Sequence, residues 1–288
     1  MKLKGEVALV TGASRGIGRA IAEAQAREGA QVVLVARSLE QVQSVADHIT
    51  AGGGMALAFA ADVLDLGAIE RVVAEVEAAI GGITLLTNNA AAFRAIGPIW
   101  AVDPAEWWQD VETNLRGPFN CCRAVLPGMR ARRRGRIINL AGGGAATSFP
   151  NGSGYATSKA GLLRFTECVS DTLVDTGVTM FAMDPGLVHT SMTDYQLSSQ
   201  SGRAYLPGIQ ALFDRGVDVS PTLAAELSVE IGRGRFDRLA GRMLMAARGD
   251  LLLAEAGVED ILERDLRSLR VNGVPEEPGQ AAGRLGDP

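Results

Sequence analysis

Lysine, histidine and cysteine are all scarce in this 288-residue chain, and each scarcity narrows what it can be. The only lysines are Lys2, Lys4 and Lys159; every other basic side chain is an arginine. A net charge of -5 leaves no cationic surface to neutralise a phosphate backbone, which excludes nucleic acid as a partner. The densest positive run, residues 130–136, reads as the cationic end of a helix. Cys121, Cys122 and Cys168 lack metal-ligand spacing, and sequence neighbours do not readily bridge, so no metal and a reducing compartment are expected. His48 and His189 read as a surface helix residue and a structural residue. No apolar run is long enough for a membrane span. The start, Met1 to Glu6, runs straight into Val7–Val10, a run too short and too acid-flanked for a signal peptide, and the expectation is a cytoplasmic protein.

What the chain does have is alternation. Short apolar runs at 7–10, 32–35, 56–60, 83–86, 136–140, 178–183 and 242–245 read as buried strands. Their unbroken apolar character suits a parallel sheet covered on both faces. Helix-length segments lie between them at about 16–29, 39–51, 65–80, 104–130, 155–176 and 220–231. In the first of these, Ile17, Ala20, Ile21 and Ala24 recur at helical spacing. Strand–helix repetition of this kind gives an α/β fold, a single-domain, doubly wound parallel sheet of about seven strands with helices on both faces. One domain is expected over 1–249, with a Ser- and Gly-rich flap at 187–219. A helical extension follows to about Arg270, then a tail around Pro275-Glu-Glu-Pro-Gly that reads as disordered.

The first strand runs into Thr11-Gly12-Ala13-Ser14-Arg15-Gly16-Ile17-Gly18. Glycines permit a tight turn and a close backbone approach, and the following helix offers free N–H groups to an anion. Between a first strand and a first helix, this is a dinucleotide site of Rossmann type. An acid at the end of the second strand would bind a ribose 2′-hydroxyl; here that position is Ala36, followed by Arg37. Arg15 and Arg37 are placed to fork onto a 2′-phosphate, so NADP(H) is expected over NAD(H).

The G-x-x-x-G-x-G spacing resembles the short-chain dehydrogenase/reductase family, and later motifs match it in order over roughly residues 5–250. Asp62-Val63 closes the third strand, where the resemblance implies an adenine contact. Asn88-Asn89-Ala90-Ala91 resembles the family's Asn-Asn-Ala-Gly, with Ala91 in place of the glycine. Tyr155-Ala-Thr-Ser-Lys159 matches Tyr-x-x-x-Lys, and Pro185-Gly186-Leu-Val188-His-Thr190 matches Pro-Gly-x-Val-x-Thr. The resemblance implies a cofactor site of Gly12, Ser14, Arg15, Gly16, Ile17, Gly18, Arg37, Asp62, Val63, Asn89, Ala90, Tyr155, Lys159, Pro185, Gly186, Val188 and Thr190. It further implies that Tyr155 exchanges a proton with the substrate oxygen and that Lys159 holds the nicotinamide ribose. Asn114 would support a water relay to the lysine. Tyr155 and Lys159, four apart, share a helix face, and a nearby ammonium favours phenolate. Pro118 has no N–H to offer the Asn114 carbonyl four residues back, which frees that carbonyl for a water.

One position departs from the pattern. The family's catalytic serine stands thirteen residues before the tyrosine, which here is Gly142, preceded by Ala141. A replacement donor is sought in Ser153, Ser148 or Thr147, in that order, or in backbone N–H groups of Gly142-Gly143-Gly144. A third possibility is a fold turned to lyase, cyclase or cofactor-binding use. The pocket walls are expected from Phe93–Trp100, Thr147–Asn151 and the flap residues Met192, Tyr195, Tyr205, Leu206 and Phe213. That lining suits a ketone or secondary alcohol on a hydrophobic body. Arg94 and Arg203 are the cations near it, each read as an exposed side chain or a carboxylate contact. Trp107 and Trp108 read as helix packing or a subunit contact rather than a ligand cage. The resemblance implies a homodimer or homotetramer through the helices at 104–130 and 155–176.

Overall fold

All seven apolar runs form strands in the computed structural model, which describes residues 1–270. They are β1 (Val7–Thr11), β2 (Gln31–Ala36), β3 (Met55–Ala60), β4 (Leu85–Asn88), β5 (Gly135–Leu140), β6 (Val178–Asp184) and β7 (Met243–Met245). Every pairing is parallel, and the order is β3-β2-β1-β4-β5-β6-β7. Strand order reverses between β1 and β4, so the loops leaving those two strands diverge and open a crevice at their carboxyl ends.

Helices cover both faces. On one side α1 (Gly16–Arg27), α2 (Leu39–Ala51) and, late in the chain, Pro221–Gly232 bury Ile21, Val42 and Leu227 against β1 and β2. On the other, α3 (Leu66–Ile80) and the helix Gly117–Arg132 bury Ile69, Val72, Val125 and Met129. The caps are local and legible: Ser38 and Asp65 accept the N–H groups of Gln41 and Ala68. No helix among the described residues is long and apolar enough to cross a membrane.

Two segments differ from the sequence expectation. The helix expected at 104–130 is three pieces: α4 (Pro104–Val111), a π turn (Glu112–Arg116) and α5 (Gly117–Arg132). The Gly117 N–H reaches back five residues to Glu112 O, and Pro118 next to it has no N–H to restore the four-residue pattern. After α6 (Ser153–Thr172), the stretch at 187–219 holds α7 (Ser191–Ser198), α8 (Gln200–Tyr205) and α9 (Gly208–Asp214). Thr190 and Thr193 form a reciprocal capping box at α7, and Ser199 caps α8. Their apolar side chains Met192, Tyr195, Leu206 and Ile209 close against Phe93 and Phe149.

The chain then returns through α10 (Pro221–Gly232) and β7 to α11 (Glu255–Glu263), whose Val258 and Ile261 enter the main core. The Met243 N–H donates to Arg267 O at 2.9 Å, so this last segment covers the outer edge of β7. The tail at Pro275-Glu-Glu-Pro-Gly lies outside the described residues.

Candidate active site

The glycine loop leaves β1 with Gly12 at φ 63° and Gly16 at φ 57°, conformations that favour glycine. Gly18 is required for another reason: a Cβ there would stand 2.4 Å from both Asn89 Nδ2 and Gly12 O. That space is taken because the Asn89 side chain donates to Thr11 O and Gly12 O, at 3.0 and 3.1 Å. Thr11 Oγ1 accepts in turn from the N–H groups of Asn89 and Ala90. The loops after β1 and β4 are thus stapled together, and the N-cap of α1, Arg15, makes no side-chain cap bond. The first-turn N–H groups therefore face the cleft without a side chain satisfying them.

That cleft, about 700 Å³, runs from the glycine loop to the flap. Gly12, Ser14, Arg15, Gly16, Ile17, Arg37, Asp62, Val63, Asn89, Ala90, Tyr155, Lys159, Pro185 and Thr190 all line it. Gly18 stands behind the loop, and Gly186 and Val188 behind the wall, where Gly186 makes room for Ala247 and Val219. Arg15 and Arg37 are exposed, and neither forms an ion pair among the described residues. No acid stands at Ala36 to oppose them. The cradle therefore fits a dinucleotide bearing an extra phosphate: open donors at a helix start, space that only glycine leaves, and two guanidiniums in no ion pair among the described residues.

At the other end, Tyr155 and Lys159 project from the first turns of α6. Lys159 is buried, and its Nζ donates to Leu140 O at the end of β5 at 2.6 Å. It lies 5.6 Å from the centroid of the Tyr155 ring. Burial lowers the ammonium to about 8. Burial also pushes the Tyr155 phenol well up, and the carboxylates of Asp184 and Asp110 add to the effect. The expected phenol-lowering influence of Lys159 is not what sets this phenol; Nζ is turned to the Leu140 carbonyl. A protonated phenol beside a cationic amine is a proton donor ready for an oxygen that gains charge.

Asn114, fully buried in the π turn, ties this end together. Its Oδ1 accepts from the Ala92 N–H at 2.8 Å, and its Nδ2 donates to Ala92 O and to Ser158 Oγ, at 2.8 and 3.0 Å. Ser158 Oγ donates to Tyr155 O at 2.6 Å. Ser153 does not join the cleft; its Oγ accepts from Trp107 Nε1 at 3.0 Å. Thr147 and Ser148 are exposed and also stand apart from the cleft lining. Gly142 is buried with φ 97°, and a Cβ built on it would lie 3.5 Å from the Tyr155 hydroxyl. Among the described residues no serine or threonine hydroxyl is placed there.

Asp110 is a functional candidate that the sequence reading gives no place. It is fully buried on α4, and burial raises its carboxyl even though the backbone N–H groups of Ala95 and Arg94 pull the other way. Its legible signal is spacing: Trp107, Asp110 and Asn114 share one helical face, and an acid on an inward face needs partners. Arg94 is exposed, its guanidinium 5.9 Å from the centroid of the Tyr195 ring, whereas Arg203 is turned back onto Ser198 O.

A nucleotide cradle continuous with a half-buried tyrosine and a buried lysine, on a doubly wound sheet, defines a dinucleotide-dependent oxidoreductase fold. The chain belongs to the short chain dehydrogenase family, whose model matches residues 6–201. It is 38% identical over 195 residues to a short chain dehydrogenase of Pseudocercospora fijiensis, covering 66% of this chain and 62% of the relative. It is 38% identical over 196 residues to the 3-oxoacyl-(acyl-carrier-protein) reductase FabG of Escherichia coli, covering 67% of this chain and 78% of that protein. Among solved structures, a variant of actinorhodin polyketide ketoreductase with NADPH superimposes with a TM-score of 0.76 at 31% identity, covering 85% of this chain and 96% of its own.

Proposed function

We propose that this protein is an NADP(H)-dependent oxidoreductase interconverting a ketone and a secondary alcohol on a largely hydrophobic molecule. One observation carries the reading: a single cleft joins the glycine loop, Arg15 and Arg37 to Tyr155 and Lys159, with Phe93, Met192 and Tyr195 lining its far end. When bound, the cofactor supplies or takes the hydride at carbon. Gly12, Ser14, Gly16 and Ile17 hold its phosphates, Arg15 and Arg37 select the 2′-phosphate, and Asp62 and Val63 border the adenine. Tyr155 gives its proton to the carbonyl oxygen during reduction and recovers it during oxidation. Lys159 keeps positive charge beside that oxygen, and Asn114 fixes the helix and loop around both. By their names FabG is a 3-oxoacyl reductase and the other a polyketide ketoreductase, and an apolar ketone suits the aromatic lining here. We place self-association on the helical stretch from α4 through α5 and on α6, giving a homodimer or homotetramer.

Gly142 favours a second reading, a non-redox lyase, cyclase or cofactor-binding role, because no hydroxyl stands beside Tyr155 at that point. A panel of bulky apolar ketones with NADPH separates the two. The expected result is one alcohol formed per NADPH consumed, and NADPH bound more tightly than NADH. Tyr155→Phe should lower turnover by about 100-fold or more with cofactor affinity retained. Product formed with no net NADPH loss would establish the second reading.

A further inference from the structure

The loop after β4 is gripped at four backbone atoms by one face of the helix that follows it. Asn114 takes the N–H and carbonyl of Ala92, as described. Asp110 takes the next donors: the Arg94 N–H lies 2.9 Å from both Oδ1 and Oδ2, and the Ala95 N–H lies 3.0 Å from Oδ2. Phe93 sits between the two grips. Its ring is buried and stacks on Tyr155, with centroids 4.5 Å apart and planes inclined by 12°. Gly152 admits the ring tip; a Cβ there would lie 2.7 Å from Phe93 Cζ. One turn before Asp110, Trp107 holds Ser153 and packs on Gly154 at the start of α6. The stripe Trp107–Asp110–Asn114 therefore touches both the loop that carries Phe93 and the helix that carries Tyr155.

We propose that Asp110 is a positioning residue for Tyr155, acting through the 92–95 loop to press Phe93 onto the phenol ring. A buried carboxylate is costly, and three N–H contacts are what make this one tolerable. They also explain why an acid stands there: an apolar side chain on the same inward face would leave the Arg94 and Ala95 donors unpaired. The stacked ring fixes the plane of the phenol and hence the direction of its hydroxyl. The inference rests on the ketone-reductase reading for its kinetic consequence but not for its geometry.

The test compares wild type, Asp110→Asn, Phe93→Leu and the double variant as full chains. Asparagine keeps the shape but turns an NH₂ toward a backbone donor, so the loop loosens. Each single variant should lower kcat by roughly 10- to 100-fold, the scale of a displaced reacting group. NADPH affinity, read by fluorescence titration, should stay within about twofold, and the double variant should be no slower than the worse single, since both break one linkage. A second readout needs no substrate. With ring-fluorinated tyrosine incorporated, the fluorine resonance that vanishes in Tyr155→Phe marks this residue among the three tyrosines. That resonance should move in both single variants.

An unmoved resonance in Asp110→Asn, wild-type kcat in Phe93→Leu, additive losses in the double variant, or cofactor affinity falling in step with kcat would each overturn the proposal. If Asp110→Asn fails to fold, Phe93→Leu decides by its kcat and its resonance. If wild type reduces no ketone, the reductase reading falls, and the resonance alone still decides the placement.

Discussion

Lys159 carries a charge that the fold disfavours and the proposed chemistry requires. Its folded value, about 8, lies below the ordinary lysine range. The unfolded chain therefore binds more protons from about pH 8 to about pH 10, and this group's contribution to stability rises with pH over that window. Activity on the proposed reading is expected to run the other way, because the ammonium beside Tyr155 is lost as pH climbs through 8. Lys159→Met should be more stable than wild type at neutral pH by about 2 kcal/mol, after allowing for the unpaired Leu140 carbonyl. It should also be inactive, and the stability gap should close toward pH 10. Denaturant midpoints and a kcat/KM profile across that range check both trends. Gly142 poses a separate question at the same scale. The space beside it accepts a Cβ, but φ 97° does not, at a cost of about 1–2 kcal/mol for any L side chain. Gly142→Ala and Gly142→Ser share that strain, so their ratio isolates the hydroxyl. Ser is expected to exceed Ala in ketone reduction by about tenfold or more, as a restored hydrogen-bond donor would. Equal rates would mean that a donor is already supplied.

At the scale of elements, the sheet was readable because each strand is a continuous apolar run between helices of full length. Motif order then located β1, β4, β5 and α6 and with them most of the cleft. Four features escaped for physical reasons. The π turn at Glu112–Arg116 changes hydrogen-bond spacing without changing composition; Pro118 hinted only that a carbonyl was free. Helices of six to eight residues, as in α7 to α9, are too short to display a 3.6-residue period, so Ser and Gly content dominated the reading. Ser153 looked like a replacement hydroxyl by its distance along the chain, yet α6 turns it toward Trp107. Asp110 belongs here as well: its meaning depends on two backbone donors, the N–H groups of Arg94 and Ala95, contributed by an earlier loop.

Over the whole molecule, the last described segment completes the sheet rather than trailing from it. Asp250 is almost fully buried, and its carboxylate accepts the Met245 N–H at 2.6 Å and Arg267 Nη2 at 2.9 Å. Arg242 reaches Asp265 at 2.5 Å, and Arg270 reaches Glu167 on α6 at 2.7 Å, so the segment is fastened at both β7 and α6. Ala247, in the turn between β7 and Asp250, packs into the space left by Gly186, directly behind the Pro185 wall of the cleft. Stability at this edge is therefore joined to the shape of the site. Asp250→Asn strands the Arg267 charge and weakens the hold on β7, and it should cost about 3 kcal/mol. Arg267→Met should cost a similar amount by stranding the carboxylate. The double variant, with neither charge left unpaired, should recover a large part of the loss. Urea midpoints measure the three costs, and light scattering should show association in Asp250→Asn, where the edge of β7 loses its cover. Equal stability in all four proteins would mean that the segment contributes nothing to holding the sheet.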